Sequence, residues 1–72
     1  MDDIRIETKG VLLNGEFKDW NVFIQDLYNG EGSYLILLST QDDSQGYDDW
    51  VEDFSSLKQY FEEAQWQIKW LD

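Results

Sequence analysis

The stretch "SYLILLST", residues 33–40, constrains the fold more than any other part of this chain. It is an apolar run of strand length, bounded by the turn-forming residues "NGEG" (29–32) and the polar loop "QDDSQG" (41–46). A short unbroken apolar run between turn signals reads as a central strand covered on both faces. The flanking segments are then read for what lies beside it.

Upstream, "IRIETKGVLL" (4–13) begins with period-two alternation: Ile4, Ile6 and Thr8 on one side, Arg5, Glu7 and Lys9 on the other. Gly10 interrupts the pattern and marks a bulge or bend. Asn14-Gly15 is a two-residue hairpin signal, because both residue types accept positive φ. "DWNVFIQDLY" (19–28) is the second strand, with Trp20, Val22 and Ile24 on one face and Phe23 half exposed on the other. Three strands joined by two tight turns form an antiparallel meander.

Downstream, "YDDWVEDF" (47–54) is either a short edge strand or an extended entry into a helix, anchored by Tyr47, Trp50 and Phe54 with its acids outward. "SSLKQYFEEA" (55–64) is a helix: Ser55 or Ser56 caps it, and Ser56 with Gln59 forms a capping box. Leu57, Tyr60, Phe61 and Ala64 make one apolar stripe. "WQIKWL" (66–71) alternates again and closes the sheet, with Trp66, Ile68 and Trp70 on one side. The expected fold is α+β: an antiparallel sheet of about four strands, in the order β-β-β-α-β, with one helix packed on one face.

A 72-residue chain makes one domain with a thin core, spanning 1–72 without repeat or linker. It has no cysteine and no histidine, so neither a disulfide nor a Cys/His zinc site can support it. Twelve aromatic residues stand in for such a staple, each ring burying roughly 150–250 Å². Homodimerisation is the other staple open to it, so monomer and homodimer both remain. The net charge of −11 repels nucleic acid and anionic membranes and attracts basic proteins. The amino terminus has acids where a signal peptide has bases, and no apolar run spans a bilayer. The expected location is cytoplasmic, with no direct nucleic-acid binding and no membrane.

The acids concentrate in one segment. Residues 42–63 hold eight acids and the single base Lys58. A calcium loop with Gly46 at its sixth position has Asp43 at the third and Glu52 at the twelfth, but Gln41 and Gln45 occupy the first and fifth, where carboxylates belong. The acid pairs Asp42-Asp43, Asp48-Asp49, Glu52-Asp53 and Glu62-Glu63 are all sequential and in polar surroundings, and no nucleophile–base pair or phosphate loop accompanies them. No enzyme, no cofactor and no metal is expected. Glu62 and Glu63 oppose the helix dipole at a cost of tenths of a kcal/mol up to about 1, which points to a use elsewhere. An acidic patch steers a basic partner, and Tyr47, Trp50 and Tyr60 are candidate anchors for it, unless Trp50 and Tyr60 are simply core. Asp42, Asp43, Asp48, Asp49, Glu52, Asp53, Glu62 and Glu63 complete the candidate partner-binding set. High net charge as a device for solubility is the plainer account of the same acids.

Residues 46–71, "GYDDWVEDFSSLKQYFEEAQWQIKWL", resemble the tails of small acidic immunity proteins of bacterial toxin–immunity systems. The shared look is an aromatic-acid-Trp-Val strand, a Ser-capped helix rich in Phe and Glu, and a closing Trp-x-Ile-x-Trp-Leu strand. The resemblance implies a cytoplasmic inhibitor of a cognate basic toxin, often a nuclease, whose nucleic-acid-binding surface is met by carboxylates. That role transfers to Asp48, Asp49, Glu52, Asp53, Glu62 and Glu63, whereas Asp42 and Asp43 rest on charge alone. The alternatives are a DNA mimic that sequesters DNA-binding or restriction proteins, and a small acidic adaptor domain.

Overall fold

A computed structural model describes residues 4–28 and 31–71. The chain forms β1 (Lys9–Leu12), β2 (Asn21–Asp26), β3 (Tyr34–Ser39), β4 (Gly46–Val51), α1 (Phe54–Ala64) and β5 (Ile68–Trp70). The strands build one sheet in the order β4-β3-β2-β1-β5, and every neighbouring pair is antiparallel. The α+β class with a single helix is the one expected, but the sheet has five strands rather than four. The extra strand is the ambiguous segment after the acidic loop. Its Tyr47, Asp49 and Val51 align with Leu38, Ile36 and Tyr34 of β3, and Val51 is buried. Beta-branched and aromatic residues suit such a half-covered edge.

Strand directions follow from the pairing. β4 and β5 lie at opposite edges and run the same way, so they need a crossover rather than a tight turn, and α1 supplies it. The helix lies on the face formed by Leu12, Val22, Ile24, Tyr34, Ile36, Leu38 and Val51, and adds Leu57 and Phe61 to that core. Trp66 closes one end of the core, edge-on to both Tyr60 and Phe61 at centroid distances of 5.6 and 5.4 Å.

Several local expectations are corrected. Residues 4–8 are not strand. Glu7 takes a left-handed φ of 59°, although its N–H still donates to Ile24 O at 2.8 Å and its Oε2 accepts from Asp26 N at 2.8 Å. Ile4 and Ile6 nevertheless pack on the core, so their alternation reported burial and not a ladder. Gly10 is no bulge: it pairs in regular register with Val22 and Trp70. A Cβ there would come within 2.6 Å of Ile68 Cγ2 and 2.9 Å of Trp70 Cε3, so the glycine lets β5 close onto β1. Asn14-Gly15 opens a longer connection instead of a two-residue hairpin. Gly15 (φ 82°) and Asp19 (φ 73°) both take positive φ, and Asp19 N donates to Leu12 O at 2.8 Å. Asn14 acts at a distance: its Nδ2 donates to Gln65 O at 2.9 Å and its Oδ1 accepts from Gln67 N at 2.8 Å. In the second expected turn, Asn29 and Gly30 lie outside the described residues, and Leu27 N donates to Ser33 O at 3.2 Å beside them.

The helix cap lies two or three residues before the expected serines. Asp53 is the N-cap, in extended conformation, with Oδ1 accepting from Ser56 N at 2.7 Å, so neither Ser55 nor Ser56 caps it. Leu57 and Phe61 are buried and Tyr60 half-buried, but Ala64 of the expected stripe is exposed. The strand β3 is covered on one face only. Tyr34, Ile36 and Leu38 are buried beneath the helix, while Leu35 and Leu37 are half-buried on the opposite face, where no second layer lies among the described residues.

Candidate protein-binding surface

The acidic segment starts as a hydrogen-bonded loop. Thr40 N donates to Gln45 O at 3.0 Å, and Gln45 N returns a bond to Thr40 Oγ1 at 3.1 Å. Inside this ring Asp42 Oδ1 accepts from Thr40 Oγ1 at 2.9 Å and from Ser44 N at 3.1 Å, an Asx-type turn. Those bonds, from Ser44 first and then Thr40, hold the Asp42 carboxyl below the usual carboxylate range. Asp42 thus shapes the loop, and Asp43, at a left-handed φ of 59°, is carried outward on it.

The edge strand β4 then splits its residues between two faces. Its register places Tyr47 and Asp49 on the helix side and Asp48 and Trp50 on the open side. Asp49 is half-buried rather than outward. Its Oδ1 accepts from Trp50 N at 2.9 Å, which occupies a backbone donor that an exposed sheet edge would otherwise offer to another chain. It also accepts from the Tyr60 hydroxyl. Burial first, then that bond and the charge of Asp49, push the Tyr60 hydroxyl up to about 12. The three expected anchors of β4 do not anchor it: Tyr47 is 49%, Trp50 56% and Phe54 43% exposed, and Val51 takes that role instead. Tyr47 is nonetheless held in place, stacked on Phe17 at 6.0 Å with 15° between the rings. Phe54 meets Tyr34 edge-on at 5.9 Å.

Glu52 is exposed at the far end of β4, and Asp53 beside it is committed to the helix cap, where the Ser56 backbone N–H holds its carboxyl low. Glu62 and Glu63 project from the last turn of α1, with Gln59 Nε2 donating to Glu63 Oε2 at 3.2 Å. Tyr60, one helical turn before Glu63, reaches Asp49 of β4 with its hydroxyl, so the last turn of α1 follows directly on a contact with that edge. The acids of this segment differ in role. Asp43, Glu52, Glu62 and Glu63 are exposed, whereas Asp42, Asp49 and Asp53 hold local structure. Tyr60 is largely a core contact and Asp48 and Trp50 belong to the open face.

No family model matches the chain, and neither a curated protein nor a solved structure is significantly similar to it. Among the described residues, no group of three or more acids is gathered closely enough to hold a metal ion. Among the same residues, no helix is long and apolar enough to cross a membrane.

The open sheet face was missed as a surface. It carries Val11, Phe23, Leu35, Leu37 and Trp50, the first four half-buried and the last exposed. The signal was present in the sequence: an unbroken apolar strand needs cover on two sides, and the pattern offers one helix to give it.

Proposed function

We propose that this chain is an acidic binding protein that neutralises a cognate basic bacterial toxin, a nuclease above all, by occluding its active or substrate-binding surface. The observation that carries the reading is the division of labour among its acids. Within residues 42–63, Asp42, Asp49 and Asp53 hold backbone groups, while Asp43, Glu52, Glu62 and Glu63 are exposed on a molecule of net charge −11. Exposed carboxylates, two of them placed against the helix dipole, fit a surface that meets lysine and arginine side chains. Tyr47, preset on Phe17 beside the acidic loop, fits an aromatic anchor that loses little freedom on binding. The resemblance of residues 46–71 to immunity-protein tails supports the same reading. No bond is broken in this mechanism: bound carboxylates and aromatics exclude nucleic acid from the toxin's cleft.

The DNA-mimic reading asks for more charge than the molecule has. Its longest extent is 32 Å, over which duplex DNA carries about 19 phosphate charges. The chain has 16 acids in total, fewer than that.

The test is affinity capture with the chain as bait, washed at low and high salt, beside a variant combining Glu52→Lys, Glu62→Lys, Glu63→Lys and Asp43→Asn. The last change keeps a residue that tolerates left-handed φ. One basic nuclease retained by the wild type through high salt, inhibited by it and lost by the variant, is the expected result. A variant that binds and inhibits as well as wild type assigns the acids to solubility alone. A set of unrelated DNA-binding proteins that all leave in high salt favours mimicry.

A further inference from the structure

We infer that the open face of the sheet is a self-association surface, and that two copies of this chain pack face to face as a β-sandwich dimer. The inference does not rest on the toxin reading.

One transverse row of the sheet is complementary to itself. The register aligns Asp48 of β4 with Leu37 of β3, Leu37 with Phe23 of β2, and Phe23 with Lys9 of β1. All four side chains lie on the face away from the helix. The row reads acid, apolar, apolar, base, so it is complementary to its own reverse. A twofold axis parallel to the strands, passing between β2 and β3, lays β3 on the partner's β2 and β4 on the partner's β1. Leu37 then meets the second copy's Phe23, and Asp48 meets its Lys9, each contact occurring twice, as an isologous interface requires.

The geometry tolerates the ordinary twist between packed sheets. Asp48 and Lys9 each stand about 7 Å from that axis, so a crossing of about 30° displaces them by about 4 Å, within reach of a lysine stem. Within one chain the two are three strand spacings apart, about 14 Å, and cannot pair.

Charge favours the same occupant. The strand positions on the open face carry Lys9, Lys69 and Asp48, a balance of +1 on a chain of −11. Among the described strand positions, this is a face on which two such acidic molecules meet without strong repulsion, and a poor match for the basic partner proposed for the exposed acids. The second copy also supplies the missing cover for Leu35 and Leu37, in a chain short enough to need a staple and without cysteine to make one.

Sedimentation equilibrium decides the matter, with the intact chain examined from about 10 µM to about 1 mM. The expected mass is twice the 8.6 kDa of the chain. Asp48→Lys and Lys9→Asp should each raise the dimer dissociation constant about tenfold or more by placing like charges opposite each other. The double variant carrying both should return to the wild-type constant. Both positions are exposed, and circular dichroism confirms that each variant keeps its fold. A wild type that stays at 8.6 kDa throughout overturns the proposal, leaving the face to a different partner. Folded single variants that dimerise like wild type, or a double variant that fails to recover, overturn it equally.

Discussion

At the residue scale, small positional demands decide how the elements join. Gln65 ends the helix at a left-handed φ of 55°, a conformation that glycine adopts without a Cβ penalty. Its backbone N–H donates to Phe61 O and its carbonyl accepts from Asn14, and neither bond uses the side chain. Gln65→Gly is therefore expected to stabilise the fold by about 0.5 kcal/mol: relief of about 1 kcal/mol of strain, partly offset by glycine's greater freedom in the unfolded chain. Thermal melting should show a rise of about 2–4 °C. A fall would mean that the Gln65 side chain makes a contribution absent from this account. Gly10 is the converse case, where the lack of a side chain is required by Ile68 and Trp70 and not by φ. Its interruption of the alternating pattern was visible in sequence, but the reason lies in residues almost sixty positions away.

At the scale of elements, β4 and α1 depend on each other through Asp49 and Tyr60. The Tyr60 hydroxyl is raised from an ordinary 10.0 to about 12, so the folded state holds its proton where the unfolded state releases it. Its contribution to stability is then complete below about pH 10 and is lost as pH rises from there toward 12. Tyr60→Phe should flatten part of this alkaline decline in urea denaturation series collected between neutral pH and 12. An unchanged slope would remove the Asp49–Tyr60 bond from the account of stability. The identity of α1, its apolar stripe through Leu57 and Phe61, and the alternation of β2 and β5 were all legible in sequence, because period alone reports which side is buried. The N-cap was not, since three neighbouring residues, Asp53, Ser55 and Ser56, can all cap a helix. The choice fell to Asp53 because β4 ends at Val51 and the chain must turn at once.

At the scale of the whole molecule, an excess of eleven negative charges is confined to 32 × 25 × 21 Å. At about 0.01 M salt the Debye length is about 30 Å, so acids repel one another across the entire fold, whereas at about 0.1 M it shrinks to about 10 Å. The melting temperature should rise as sodium chloride is added over this range, measured at protein concentrations low enough to hold the chain monomeric. A flat or falling curve would show that pairing, and not self-repulsion, dominates the surface. Under the two proposals, charge of this size would also sort the faces by partner: the exposed acids for a basic protein, the near-neutral sheet face for another copy.

The sequence by itself determined the α+β class, the helix, the strand at β3 and the core-facing sides of β2 and β5. These follow from composition and local period, which act over a few residues. Only the tertiary structure decided that 46–51 joins as a fifth strand, that β5 pairs with β1 at the edge opposite β4, and that among the described residues one side of β3 has no covering layer. It also decided that Asp42, Asp49 and Asp53 accept backbone hydrogen bonds, while Glu63 in the last turn of α1 meets the Gln59 side chain. The physical reason is the same in each case: strand order and carboxylate partners depend on groups far apart in the chain, and local pattern carries no record of which distant group arrives.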